Sequence, residues 1–318
     1  MIIVAVATAS HITAALIPPR FLDCVVAIGY RPLVTTKKPD GSLQVQRGIF
    51  VPMASGLLYA YFLKKANPTE NEYAFYLVTN QHVVADVERA ERQQLQELSK
   101  TSQLHIDAVM FLRFNPKALS PAREDFSIPI DSARPGEQWT QDRDIDLAVI
   151  PVGREVLDKE GIQYNFFQSD LHVADRSKAE ELGITEGDYI YVLGFPMGLV
   201  GTQRNYVIAR QGIIARIRDS LASNVPIPFL IDAFVFPGNS GGPVITRPEM
   251  AHLEGTKTQD HTYLVGVVKG YIPYQDVAVS KQTGQIRIMF QENSGLAEVI
   301  PMDAVTNLIQ RHRTLLQK

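Results

Sequence analysis

Apolar residues in this chain come in short runs, each closed by turn-forming residues. "DCVVAIGY" (23–30), "GLLYAYFL" (56–63), "YAFYLVTN" (73–80), "AVMFLRF" (108–114) and "DLAVIPV" (146–152) occupy the first half. "DYIYVLGFP" (188–196), "NYVIARQGIIARI" (205–217), "FLIDAFVF" (229–236), "YLVGVVKGY" (263–271) and "GQIRIMF" (284–290) occupy the second. Runs this short and this frequent, rich in Val, Ile, Tyr and Phe, predict strands and leave no room for the crossover helices of a parallel sheet. "TTKKPDGSLQVQ" (35–46) predicts a hairpin, with Pro39-Asp40-Gly41 supplying its turn.

Helical spacing is confined to three segments. Residues 86–100 are polar, with a thin stripe of Val87, Leu95 and Leu98. Residues 177–183 make one or two turns closed by Gly183, and 302–318 set Val305, Leu308 and Ile309 on one face. All three are expected to be packed surface helices. The charged, mixed stretch 153–188 separates two strand-rich halves and reads as the connector between two β domains. No internal repeat or low-complexity segment interrupts this order.

Composition narrows the classes. A chain of 318 residues suffices for two barrels or two modest α/β units, and 45% hydrophobic with 20% charged residues is ordinary for a soluble globular protein. The formal net charge of −3, without a block of like charges, gives no reason to expect nucleic acid as a partner. The one cysteine, Cys24, excludes an intramolecular disulfide and, inside a strand-like run, reads as a small buried hydrophobe. No apolar stretch reaches bilayer length, so no membrane span is expected. The first 19 residues, "MIIVAVATASHITAALIPP", have no basic residue before Arg20 and are interrupted by His11, unlike a secretory signal. A cytoplasmic protein with an N-terminal extension is expected, or an extracytoplasmic one if that segment acts as a signal. The scattered histidines offer no ligand spacing, so neither a metal nor a cofactor is expected.

The candidate chemistry lies in "FVFPGNSGGPVI" (234–245), where three glycines and two prolines surround Ser240. Formally this contains G-x-S-x-G, the nucleophile elbow of α/β-hydrolases. That elbow needs a helix directly after the serine, then an acid and a histidine downstream. Gly241-Gly242-Pro243 instead begins a strand, and His252, His261 and His312 stand in no motif. Upstream, "TNQHVV" places His82 just after a strand-like run, and "DLAVI" places Asp146 at the head of another. The order His, Asp, Ser suits a base, its orienting carboxylate and a nucleophile. Asp142 and Asp144 rival Asp146, and Asp86 is a further candidate to pair with His82. The backbone N–H groups of Gly238 and Ser240 converge on one oxyanion only if the turn adopts conformations that a β-carbon hinders. Each segment also has an ordinary reading: a glycine-rich turn, a buried histidine, a strand cap. Their occurrence together, in this order, favours chemistry.

"TNQHVV", "DLAVI" and "PGNSGGPV" resemble the three signature segments of trypsin-like serine proteases, particularly the bacterial high-temperature-requirement (Deg-type) branch. "ASGLLY" (54–59), "GDYIYVLGFPMGL" (187–199), "LVGVV" (264–268) and "SGLAEVIP" (294–301) follow in matching order, so the resemblance covers roughly residues 20 to 310. It implies an all-β fold of two antiparallel six-stranded β-barrels with a C-terminal α-helix. The first barrel would span 20–155 and carry His82 and Asp146, and 156–186 would connect. The second would span 187–301 and carry Ser240 and the oxyanion hole, with the helix over 302–318. The activity implied is that of a serine endopeptidase cutting polypeptides through an acyl-enzyme. A homo-oligomer follows by family analogy alone. The alternative is a latent or inactive protease-fold protein that binds peptides as a scaffold.

Two departures refine the resemblance. Digestive trypsins carry, just before the nucleophile, an Asp that pairs with a newly cut N-terminus; Asn239 cannot form that pair, so activation by N-terminal insertion is not expected. Deg-type proteases commonly carry a PDZ domain after the protease, and none fits before Lys318, so regulation by one is not expected. The primary pocket would be built from Phe234, Phe236, Lys269, Gly270 and Tyr271. Its aromatic character implies a shallow site for small or medium aliphatic side chains, with Lys269 favouring an acidic one as the alternative. The 86–145 stretch, which holds the only tryptophan, Trp139, is expected at the rim of the first barrel.

Overall fold

The computed structural model describes residues 15–41, 43–67, 70–99, 108–130, 139–249 and 260–316. A single turn, α1 (Pro19–Leu22), leads into β1 (Val25–Tyr30), the hairpin β2 (Leu33–Lys37) and β3 (Leu43–Arg47), and two long strands, β4 (Val51–Asn67) and β5 (Glu70–Thr79). Helix α2 (Gln81–Ser99) follows, then β6 (Val109–Pro116), β7 (Arg123–Pro129), β8 (Thr140–Asp142) and β9 (Leu147–Pro151). Next come α3 (Arg154–Lys159), β10 (Ile162–Gln163), β11 (Phe167–Gln168) and α4 (Arg176–Leu182). The second half comprises β12 (Tyr189–Gly194), a 3-10 turn at Pro196–Gly198, β13 (Ile208–Arg216), α5 (Arg218–Ala222), β14 (Phe229–Asp232) and β15 (Pro243–Thr246). It ends with β16 (Leu264–Val279), β17 (Ile286–Pro301) and α6 (Met302–Leu316). The expected N-terminal extension lies largely outside the described residues, as does His252.

The fold is mostly β. In the second half, β12-β13-β14-β17-β16-β15 close an antiparallel six-stranded barrel. The first half departs from the six-stranded barrel expected there. Its strands form a nine-stranded sheet in the order β10-β6-β1-β4-β5-β9-β8, with β11 added to β4 and β7 to β6; among the described residues this path does not close. The additions have identifiable sources. The stretch read as a connector returns β10 and β11 to this sheet, and β7 comes from the segment between α2 and β9.

Local signals held where neighbouring residues decide the conformation. The hairpin β2–β3 pairs Lys37 with Leu43, and Gly41 takes the positive φ of 84° that its turn demands. Helix α4 is capped by the Asp175 side chain accepting from Lys178 N–H, and stops at Gly183 in the left-handed conformation. Helix α2 differs from expectation: it starts at Gln81 rather than 86 and is half-buried through Val83, Val84 and Val87. Glu91 on the same helix is fully buried and accepts from Arg47 Nη1 at 2.7 Å, tying α2 to the β2–β3 hairpin. Helix α6 is likewise more than a surface helix. Met302, Val305, Leu308 and Ile309 enter one core cluster with Tyr59 and Val149 of the first half and Val267 and Ile300 of the second. Each such side chain contributes about 2 kcal/mol by burial, so α6 helps hold the halves together.

His172 lies in this core, 6% exposed, with Nδ1 accepting from Gln168 N–H at 3.0 Å and its ring edge-on to Phe21. Burial, helped by the charge of Arg20, pushes its pKa down to about 4. In the unfolded chain the ring takes its proton near pH 6.5; in the folded protein it does not until about pH 4. Its contribution is therefore fully present above pH 6.5 and is lost as the pH falls from 6.5 towards 4, by on the order of 3 kcal/mol. Urea titrations at pH 7 and pH 4.5 are expected to show a smaller acid-induced drop in His172→Gln than in the parent protein. An equal drop in both would remove His172 from the account.

Candidate active site

His82 sits in the first turn of α2, directly after β5 and the buried Asn80. Helix N-termini leave backbone N–H groups without intrahelical partners, and here one is satisfied from a distance. Asp146, at the head of β9, accepts His82 N–H on Oδ1 at 2.8 Å and His82 Nδ1 on Oδ2 at 2.6 Å. A carboxylate accepts only, so Nδ1 carries the proton and Nε2 presents its lone pair. The reach requires unusual backbone: Asp146 has φ 66°, a left-handed conformation, and its own carbonyl accepts from Asn80 Nδ2 at 3.0 Å. The rival carboxylates are placed elsewhere. Asp142 binds Arg311 at 3.0 Å, Asp86 binds Arg89 at 2.8 Å, and Asp144 is exposed. His261 pairs with Asp260 at the surface, and His312 is buried against Thr140.

Ser240 follows β14 on a tight turn that leans against the first half. Gly241 has φ 80°, and a β-carbon there would collide with Ser55 O and Thr79 Oγ1. Ser55, fully buried in β4, holds the turn at two points: Ser55 N–H donates to Ser240 O at 3.0 Å, and Ser55 Oγ donates to Gly238 O at 2.7 Å. The same hydroxyl accepts Phe195 N–H at 3.0 Å, and Thr79 Oγ1 donates to Ser55 O at 3.0 Å. One serine thus joins the histidine-bearing sheet to the serine-bearing barrel.

The flanking peptides are equally constrained. Pro237 O accepts Met197 N–H at 2.6 Å. In a trans peptide the C=O and the following N–H point in opposite directions, so Gly238 N–H is turned away from Met197. Among the described residues nothing accepts from Gly238 N–H or from Ser240 N–H, which leaves two donors free beside the serine. Met197 makes its bond from a left-handed conformation, φ 56°, in the turn after β12. Such a conformation in a non-glycine residue costs roughly 1–2 kcal/mol. Asn239 is buried, its Oδ1 accepting Phe236 N–H at 3.1 Å while its Nδ2 has no partner among the described residues. Ser240 Oγ donates to Lys269 O at 3.3 Å and, among the described residues, makes no bond to His82.

The five expected pocket residues lie on the two segments that meet at this serine. Phe234 is exposed, and Phe236 is half-buried with Arg210 over its ring at 5.1 Å. Lys269 Nζ is held by Glu298 at 2.9 Å; space around Gly270 is open, and Tyr271 packs partly on the barrel core.

Ser55 and Met197 were given no role by sequence reasoning. Both stood inside segments it singled out, but a serine in "ASGLLY" and a methionine in "GFPMGL" are common types whose importance comes from partners far along the chain. Ser55→Ala would leave Gly238 O and Phe195 N–H without their shared partner, at about 1–3 kcal/mol for each buried group. The expected outcome is a 10–100-fold lower kcat on a peptide substrate with KM little changed, because the turn loosens while the cleft persists. A parallel loss in KM would assign Ser55 to substrate binding instead.

A search of curated proteins found no match. Among solved structures, the chain aligns with an HtrA-type protease, AlgW, carrying a tripeptide, at 16% identity and a TM-score of 0.41. That alignment covers 92% of this chain, which spans 60% of the length of AlgW. It also aligns with the Rv3671c protease in an inactive form, at 15% identity and a TM-score of 0.38, covering 92% of this chain and 89% of the other. Residues 65–249 match the family model of the trypsin-like peptidase domain. Since that span is more than half of the chain and takes in His82, Asp146 and Ser240 alike, the protein belongs to the trypsin-like peptidase family.

Proposed function

We propose that this protease is a serine endopeptidase working through a triad of Ser240, His82 and Asp146. The observation that carries the proposal is the double grip of Asp146 on His82, which holds the tautomer with Nε2 unprotonated. As Ser240 Oγ attacks a peptide carbonyl carbon, Nε2 takes its proton, and the carbonyl π pair moves onto oxygen. The N–H groups of Gly238 and Ser240 stabilise that oxyanion. Collapse breaks the C–N bond; the leaving amine takes the proton from Nε2 and an acyl-enzyme remains. Water then repeats the sequence, with His82 as base and afterwards as acid. Asp146 stays ionised throughout.

The substrate is a polypeptide, and the pocket formed by Phe234, Phe236, Lys269, Gly270 and Tyr271 takes aliphatic side chains. The ion pair of Lys269 with Glu298 supports this reading over an acidic preference, because it offsets the lysine charge. A fluorophosphonate probe is expected to label Ser240 in the parent protein, and neither Ser240→Ala nor His82→Ala. The bond from Ser240 Oγ to Lys269 O favours one other reading, a latent triad or peptide-binding scaffold whose hydroxyl must turn before it can react. Absence of labelling in the parent protein would favour that reading.

A further inference from the structure

Strands β16 and β17 outrun the barrel they help to close. β15 pairs with β16 only over 264–267, and β14 pairs with β17 only over 296–299. Residues 273–279 and 286–293 pair with each other alone, forming a two-stranded arm. Its register, Tyr274↔Glu292, Asp276↔Phe290 and Ala278↔Ile288, places Tyr274, Ile288 and Phe290 on one face. Val277↔Met289 and Val279↔Ile286 belong to the other. Each of these seven large apolar side chains is 43–60% exposed. They divide three and four between the two faces, on the order of 300–400 Å² each, so each face carries an apolar patch as large as the largest on a typical monomer. A lone two-stranded ribbon is at best marginally stable in water. A ribbon apolar on both faces needs a cover.

We infer that the arm is a self-association surface and that its cover is a second copy of this chain, the two arms packing against each other about a two-fold axis. The charges suit this occupant: Asp276 and Glu292 balance Lys281 and Arg287, so two identical arms meet without net repulsion. That balance also gives no cationic excess for an anionic lipid surface, and the open edges carry backbone polar groups that hydrocarbon does not tolerate. A substrate strand running out from the cleft along β16 meets an interruption. Ile272 O accepts from Ser294 Oγ on the β17 side, so the ring nitrogen of Pro273 faces the free edge and offers no donor there. A two-fold contact between identical patches closes on itself and uses both arms, leaving no chain of open contacts.

Sedimentation equilibrium from 1 to 100 μM tests this without reference to catalysis. The parent protein is expected to be a dimer. Of Met289→Asp and Phe290→Asp, one on each face, the one on the packed face is expected to raise its dissociation constant at least 100-fold, and with either the thermal midpoint stays within a few degrees. A variant in which an Asn-Gly turn replaces residues 274–291 leaves the barrel pairings intact and is expected to be monomeric. A parent protein that stays monomeric at 100 μM, or a dimer that none of the three variants weakens, would overturn the inference. Were the monomer instead to float with phosphatidylglycerol vesicles, or the Ser240→Ala protein to bind labelled unfolded casein through the arm, that outcome would reassign the surface to lipid or substrate.

Discussion

Ser240→Ala and His82→Ala are each expected to lower kcat for peptide hydrolysis by about 10⁶-fold, and the double variant by no more than either alone. The near-equality is the informative part. A hydroxyl without its base is as inert as no hydroxyl, and a base without a nucleophile has no proton to take, so the two side chains act as one device. What remains should be about 10³-fold over water, supplied by the free N–H groups of Gly238 and Ser240 and by binding in the cleft. Single-turnover kinetics on a fluorogenic peptide, with binding of an uncleavable analogue measured alongside, separates loss of chemistry from loss of the site. Additive losses in the double variant would mean that the two residues serve different steps.

Asp146→Asn is expected to cost about 10⁴-fold in kcat and little stability. The side-chain oxygen of asparagine can still accept His82 N–H at the start of α2, and asparagine tolerates the left-handed backbone that Asp146 occupies. Its NH₂, however, would face Nδ1 as a donor. The ring would then hold its proton on Nε2, where Ser240 needs a base. Asp146→Ala loses the helix cap as well and places a β-carbon with no compensating bond at φ 66°, adding about 1–3 kcal/mol of destabilisation. The pair of variants therefore separates two functions of one residue. Asn should reduce kcat with the thermal midpoint nearly unchanged, and Ala should reduce both. If Asn retained parental activity, Asp146 would be a structural cap only.

The features readable along the chain are those that neighbouring residues determine. The short apolar runs marked the strands, Pro39-Asp40-Gly41 marked the β2–β3 turn, and Gly183 marked the end of α4. The glycines around Ser240 pointed to a turn of unusual conformation, and both Gly238 and Gly241 have positive φ. The start of α2 was hidden for a physical reason. The acceptor for His82 N–H is not a neighbour in sequence but a carboxylate 64 residues away. The nine-stranded sheet was hidden in a similar way, because β10 and β11 are two residues each and become strands only by pairing with β6 and β4.

By itself, then, the sequence determined a β-rich chain, the position of its main turns and the three segments that bear His82, Asp146 and Ser240, because short apolar runs, glycine and proline act over a few residues. The tertiary structure decided what those segments become together. It paired His82 with Asp146 rather than with Asp142, which it engages with Arg311, or Asp144, which it leaves in solvent. It made Ser55 the joint between the two halves, through contacts with residues 140 and 183 positions away. Such contacts depend on where two sheets dock, and docking is set by the summed burial of a core to which no single stretch of sequence contributes more than a part.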